Sequence, residues 1–182
     1  MFGLWPFVRG PIAGLACVAV AGAASTTHAP TRAELLGAWR LVRIEYLDAR
    51  GPVEDPYYAP DSIGSLIYEA GGNMSVHITQ PHRGEVKVPS NRRSAPLDAA
   101  GTLARAKAFD TYYAYFGRWD YDREQGIVTH HVQGSLIPEE TGISYAQRVS
   151  LEGEHLIFTN EQLTPTGKIT RRKIWERVSD AG

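Results

Sequence analysis

Gly37-Ala38-Trp39-Arg40-Leu41-Val42-Arg43-Ile44-Glu45-Tyr46-Leu47 is the stretch that decides how this chain folds. Apolar and polar residues alternate through its middle. Period-two alternation belongs to a β-strand that turns one face to a core and the other to water. A first strand is therefore expected over 38–47. The residues that follow, 48–62, are rich in Pro, Tyr and Asp and read as a loop.

The same grammar repeats toward the C-terminus. Runs of β-prone residues, broken by Gly, Asp, Asn and Pro, predict strands over 63–69, 73–80, 112–120, 127–136, 143–151, 155–160 and 169–178. Ala70-Gly71-Gly72-Asn73 is a tight hairpin signal, because Gly and Asn reach positive φ at little cost. Residues 122–126 and 152–154 read as further short connections. Residues 81–100 are polar and irregular, a loop expected over one end of the fold. Only 97–110 has helical spacing, with Leu103, Ala106 and Phe109. The fold class is all-β: an antiparallel up-and-down arrangement of about eight strands with one short helix. Closing it into a barrel removes the edge strands, and eight strands leave an interior that side chains or one small ligand can fill. A β-sandwich is the alternative.

The N-terminus reads differently. Arg9 is the only charge before Arg32, and residues 10–24 form an uncharged run of about 15 residues, short of the ~20 that span a bilayer. This is the pattern of a secretory signal peptide over 1–23, with Ala21-Gly22-Ala23 as the small-residue cleavage site; cleavage one residue later fits nearly as well. The competing reading is an uncleaved anchor. Cys17, the single cysteine, lies inside this segment and is poorly placed for lipidation. Its removal leaves a product without disulfides. The expected organisation is a leader over 1–23 and one barrel domain over 31–179. The expected location is secreted or periplasmic, with no stable membrane insertion after signal removal. With 19 Lys and Arg against 20 Asp and Glu, nothing points to nucleic acid. The sequence carries no signal of oligomeric state.

Family resemblance enters at 35–42. Gly37-Ala38-Trp39 resembles the opening strand of lipocalins, in which a Gly-x-Trp sets an indole at the closed end of the barrel. An arginine near the last strand stacks on that indole, and Arg177 in Trp175-Glu176-Arg177-Val178 is the matching residue. Gly64-Ser65-Leu66-Ile67-Tyr68, Gly72-Asn73-Met74-Ser75-Val76, Tyr115-Phe116-Gly117 and residues 128–138 extend the resemblance over about 34–178. Together they look like the bacterial and fungal lipocalin-like domain family. The resemblance implies the barrel fold; it implies little about activity.

Candidate chemistry centres on His130-His131. Side chains alternate, so His130 is expected inward with Val128 and Val132, and His131 outward. His130 is then either a pocket base or an interior polar group bonded to a neighbouring Tyr or Ser. Tyr113, Tyr115, Trp119 and Tyr121 share one face, either as a ligand wall or as barrel packing. Glu139-Glu140 reads as a solvated turn, and Arg171-Arg172-Lys173 reads as surface charge for solubility. Phosphate-loop, nucleophile-elbow and His-Glu-x-x-His motifs are all missing, and neither a cofactor nor a metal is expected. The candidate ligand-binding residues are Trp39, Tyr68, Tyr113, Tyr115 and His130, facing a small hydrophobic or amphipathic molecule. The competing functional reading is a cofactor-independent isomerase, cyclase or dehydratase, in which His130 is the catalytic candidate and a Tyr polarises a carbonyl.

Overall fold

The alternating runs pair into a wall that closes on itself. In the computed structural model, which describes residues 26–83, 98–165 and 167–179, the chain order is β1 (Thr27–His28), α1 (Arg32–Leu35), β2 (Gly37–Asp48), β3 (Gly51–Pro52), β4 (Ile63–Tyr68), β5 (Asn73–Thr79), α2 (Ala99–Asp110), β6 (Tyr112–Asp122), β7 (Ile127–Ser135), a 3-10 turn (Pro138–Glu140), β8 (Ser144–Glu152), β9 (His155–Thr164) and β10 (Gly167–Arg177). Each barrel strand pairs antiparallel with the next, from β4 through β10. Pairings β10–β2 and β2–β4 complete the ring, so β2 and β4–β10 form a closed eight-stranded barrel. The sandwich alternative is thereby excluded. The expected leader over 1–23 and most of the expected polar loop lie outside the described residues. Among the described residues, no helix is long and apolar enough to cross a membrane.

Two bulges shift the phase of the alternation. Trp39 and Leu41 face the core, but the register with β10 skips Val42, and Ile44 then pairs with Lys173 on the inner face. On β7 the register skips Gln133, so the inner row runs Val128, His130, Val132 and then Ser135 opposite Tyr115. At this second bulge the strands come very close. A Cβ on Gly117 would lie 2.0 Å from the His131 carbonyl oxygen, so only glycine fits.

One end of the barrel is plugged. Trp39 is 1% exposed, and its Nε1–H donates to the Leu35 carbonyl at 2.9 Å. The Arg177 guanidinium sits 4.2 Å from the Trp39 ring centroid and donates to the carbonyls of Glu34 and Leu36. Arg32 covers Trp119 at 3.9 Å. Both cations come from or bind to α1, a helix beyond the expected single one. It is nucleated by a capping box: Thr31 Oγ1 accepts from the Glu34 N–H, and the Glu34 carboxylate accepts from the Thr31 N–H.

Candidate functional site

Toward the other end the inner rows no longer fill the barrel, and a cavity of about 770 Å³ opens. Its rim comes from Tyr57 and Tyr58 in the β3–β4 loop and from Phe109 and Asp110 at the end of α2. Its walls are Tyr112 and Tyr113 of β6, Ile137 and Glu140 after β7, Tyr145 of β8 and Asn160 of β9. Tyr115, Gln147 and Lys173 border both this cavity and a void of about 10 Å³ beneath it, so they form the floor. Six tyrosines therefore surround one space, offering flat apolar area with hydroxyl handles and few rotatable bonds.

The charges inside the cup are arranged unequally. Arg171 makes a bidentate pair with the buried carboxylate of Asp55, at 2.8 and 3.2 Å. Its guanidinium also lies 4.9 Å from the Tyr46 ring centroid. Glu140 accepts from the Tyr113 hydroxyl at 3.1 Å and from Ser135 Oγ at 2.7 Å. Lys173 has neither kind of support. Among the described residues it has no hydrogen-bond or ion-pair partner, and its ammonium lies 5.7 Å from the Tyr58 ring centroid. Burial first, and then the Arg171 charge, bring the Lys173 pKa down to about 8, while Asp55 and Glu140 oppose the shift. Burial pushes Tyr58 up to about 12 and raises Tyr113 and Tyr115 further, so all three remain hydroxyl donors.

His130 lies below the floor, 1% exposed. Its Nε2 is bonded to the Tyr68 hydroxyl, and its Nδ1 faces Tyr115 Oη at 2.8 Å and Gln147 Nε2 at 3.3 Å. Because the Gln147 amide presents N–H groups, Nδ1 is the acceptor and Nε2 carries the proton. Desolvation lowers the His130 pKa to about 3, so the ring is neutral. Among the described residues it borders the small void, where the buried Trp175 Nε1 has no hydrogen-bond partner. His131 points outward to Asp120 and Ser144.

The residues singled out from sequence thus separate into three groups. Tyr113 and Tyr115 line the cup. Tyr68 and His130 form a buried polar network beneath it. Trp39 belongs to the plug, where the Gly-x-Trp geometry sets it. Two sequence readings are corrected. Arg171-Arg172-Lys173 is not a uniform surface cluster: on a strand the outer two residues face in and Arg172 faces out, to Glu45 and Glu152. Glu140 is not simply solvated, since two hydroxyls hold it in the cup wall. The signal that could have found Lys173 is its spacing of two from Trp175, an apolar inner-face residue. Gln147 shares a face with Val149 in the same way. No group of three or more His, Cys, Asp or Glu side chains is placed to hold a metal among the described residues.

Among solved structures, the bovine odorant binding protein in complex with a selenium-containing odorant is similar at 13% identity, covering 80% of this chain and 71% of that one with a TM-score of 0.38. The complex of bovine odorant binding protein with undecanal is similar at 12% identity, covering 82% and 75%, with a TM-score of 0.38. No curated protein matches the sequence. The profile of the lipocalin-like domain matches residues 36–178, from the plug through the closing strand, and the chain belongs to that family.

Proposed function

We propose that this protein is an exported barrel that holds one small, mostly apolar or amphipathic molecule in its tyrosine-lined cup. The observation that carries the reading is the cavity itself. At about 770 Å³ it falls within the range of roughly 300–1,000 Å³ typical of small-molecule sites. Its few polar groups converge on one space, and among the described residues the opposite end is plugged by Trp39 and Arg177. The leader over 1–23 supports export to the periplasm or medium. N-terminal sequencing of the exported product is expected to begin at or next to Ala24.

A His130-centred isomerase, cyclase or dehydratase draws less support. Both ring nitrogens are already engaged, and the ring borders a space of about 10 Å³ rather than the cup. A depressed pKa also leaves it a weak base near neutrality.

The cup reading is tested by titrating the neutral fluorophore N-phenyl-1-naphthylamine. Saturable binding at one site per chain is expected, weakened at least tenfold by Asn160→Trp, which puts an indole into the cavity from β9. Unsaturable binding, or binding indifferent to that substitution, would remove the cup from the account.

A further inference from the structure

The unequal support of the charges in the cup identifies what the ligand must bring. Arg171 is fully engaged by Asp55 through two hydrogen bonds. Glu140 is held by Tyr113 and Ser135. Lys173, the cation at the cavity floor, has no hydrogen-bond or ion-pair partner among the described residues. A half-buried ammonium inside a cavity gains from an acceptor, and none is supplied among the described residues. Next to it stand Tyr115 and Gln147, whose polar groups reach the same floor.

We propose that the molecule bound in the cup is a monoanionic amphipathic acid, whose carboxylate docks on Lys173 at the floor and whose apolar body lies between the tyrosines toward the mouth. This rests on the cup being the binding site. Among the described residues, the single cup cation without an ion pair, Lys173, matches one acidic group. Glu140 and Asp110 also line the cup, so a second negative charge on the ligand would meet carboxylates with no further cation to offset it. The orientation follows as well. The cation lies at the floor, so the head goes in first, and Phe109, Ile137 and the rim tyrosines meet the tail.

Docking also predicts a proton signature. The groups facing Lys173 are Arg171 on its own strand, Asp55 and Tyr58 from the β3–β4 loop, Glu140 from the 3-10 turn, Tyr115 from β6 and His130 from β7. Lys173, its pKa lowered to about 8, is the group that takes up a proton when an anion arrives. A carboxylate beside the amine favours its charged form.

The test is isothermal titration calorimetry of the intact barrel with 4-phenylbutyrate and dodecanoate, each against its methyl ester. The acids are expected to bind at least tenfold more tightly than the esters. At pH 8 each acid should take up about half a proton, read as a heat that differs between phosphate and Tris buffers. In Lys173→Met the acid-to-ester ratio is expected to fall to within about twofold of one, with no proton uptake. Equal binding of acid and ester by the unsubstituted protein would overturn the head-group assignment and leave the cup standing. An acid preference that persists in Lys173→Met would overturn the role of Lys173. Failure of acids, esters and the neutral fluorophore alike would sink the cup reading, and this inference with it. The proton-uptake measurement needs no substitution, so it decides the matter even if Lys173→Met does not fold.

Discussion

The two ends of this barrel are built from the same alternating strands and treat polar groups in opposite ways. At the plugged end the two indoles Trp39 and Trp119 are matched. Trp39 and Trp119 donate their N–H groups to carbonyls, and Arg177 and Arg32 stack over their rings. At the open end, tyrosines replace tryptophans, space replaces packing, and one ammonium is left without an acceptor among the described residues. The difference separates the end that concentrates stability from the end proposed for recognition. A closed, satisfied end stabilises the fold; an open end with an unmet polar need is poised to bind.

That contrast can be broken in a graded way. The largest effect is expected at the plug. Trp39→Ala removes a buried indole and its hydrogen bond, and urea unfolding should show a loss of about 3–5 kcal/mol. A loss under 1 kcal/mol would mean the plug is not a stability centre. Next is the network between the two ends. His130→Leu leaves the Tyr68 and Tyr115 hydroxyls short of a partner and is expected to cost about 2–4 kcal/mol at pH 7. It should also change the acid limb. His130 has a folded pKa of about 3 against an ordinary 6.5, so the unfolded chain binds the extra proton between those values. Stability is full above pH 6.5 and falls toward pH 3, at up to about 1.4 kcal/mol per pH unit. His130→Leu should flatten that limb; an unchanged slope would show that His130 is not neutral in the fold.

Smaller effects compare one cation at each end. Arg177→Met gives up a ring stack and two carbonyl contacts and should cost about 1–2 kcal/mol. Lys173→Met should act with the opposite sign, stabilising the ligand-free protein by on the order of 1 kcal/mol at pH 7. The Lys173 pKa is lowered to about 8 from 10.5, so the penalty is present in full below pH 8 and relieved as pH rises toward 10.5. The gain from Lys173→Met should therefore fade over that window. Thermal melts of both variants from pH 7 to 10.5 check the pair, and a destabilising Lys173→Met would contradict the unmet need at the floor.

The plug was far more legible in the sequence than the cup, for physical reasons. Gly37, Trp39 and Arg177 are unusual residues in a recognisable spacing, and period-two alternation carries each strand through both ends. The capping box at Thr31 and Glu34 was also readable, although α1 was not among the expected elements. The cup is hidden because its inner residues are polar. Lys173, Arg171, Gln147 and Glu140 look like solvent-facing residues when judged by composition, and only their phase relative to Trp175 and Val149 reveals the inner face. Bulges erase even that signal locally. Counting alternately from His130 sends Ser135 outward, whereas the extra residue Gln133 turns it in to meet Glu140. The Leu41-Val42 doublet is the visible trace of the corresponding shift in β2.

The most direct test of the central claim is native mass spectrometry of the mature protein purified from its own host, with the bound fraction extracted and identified. The account predicts one small organic molecule per chain, released on unfolding and carrying a single acidic group. A clean ligand-free mass, unchanged after incubation with a panel of lipid and aromatic acids, would contradict it and leave a barrel whose cup holds only water.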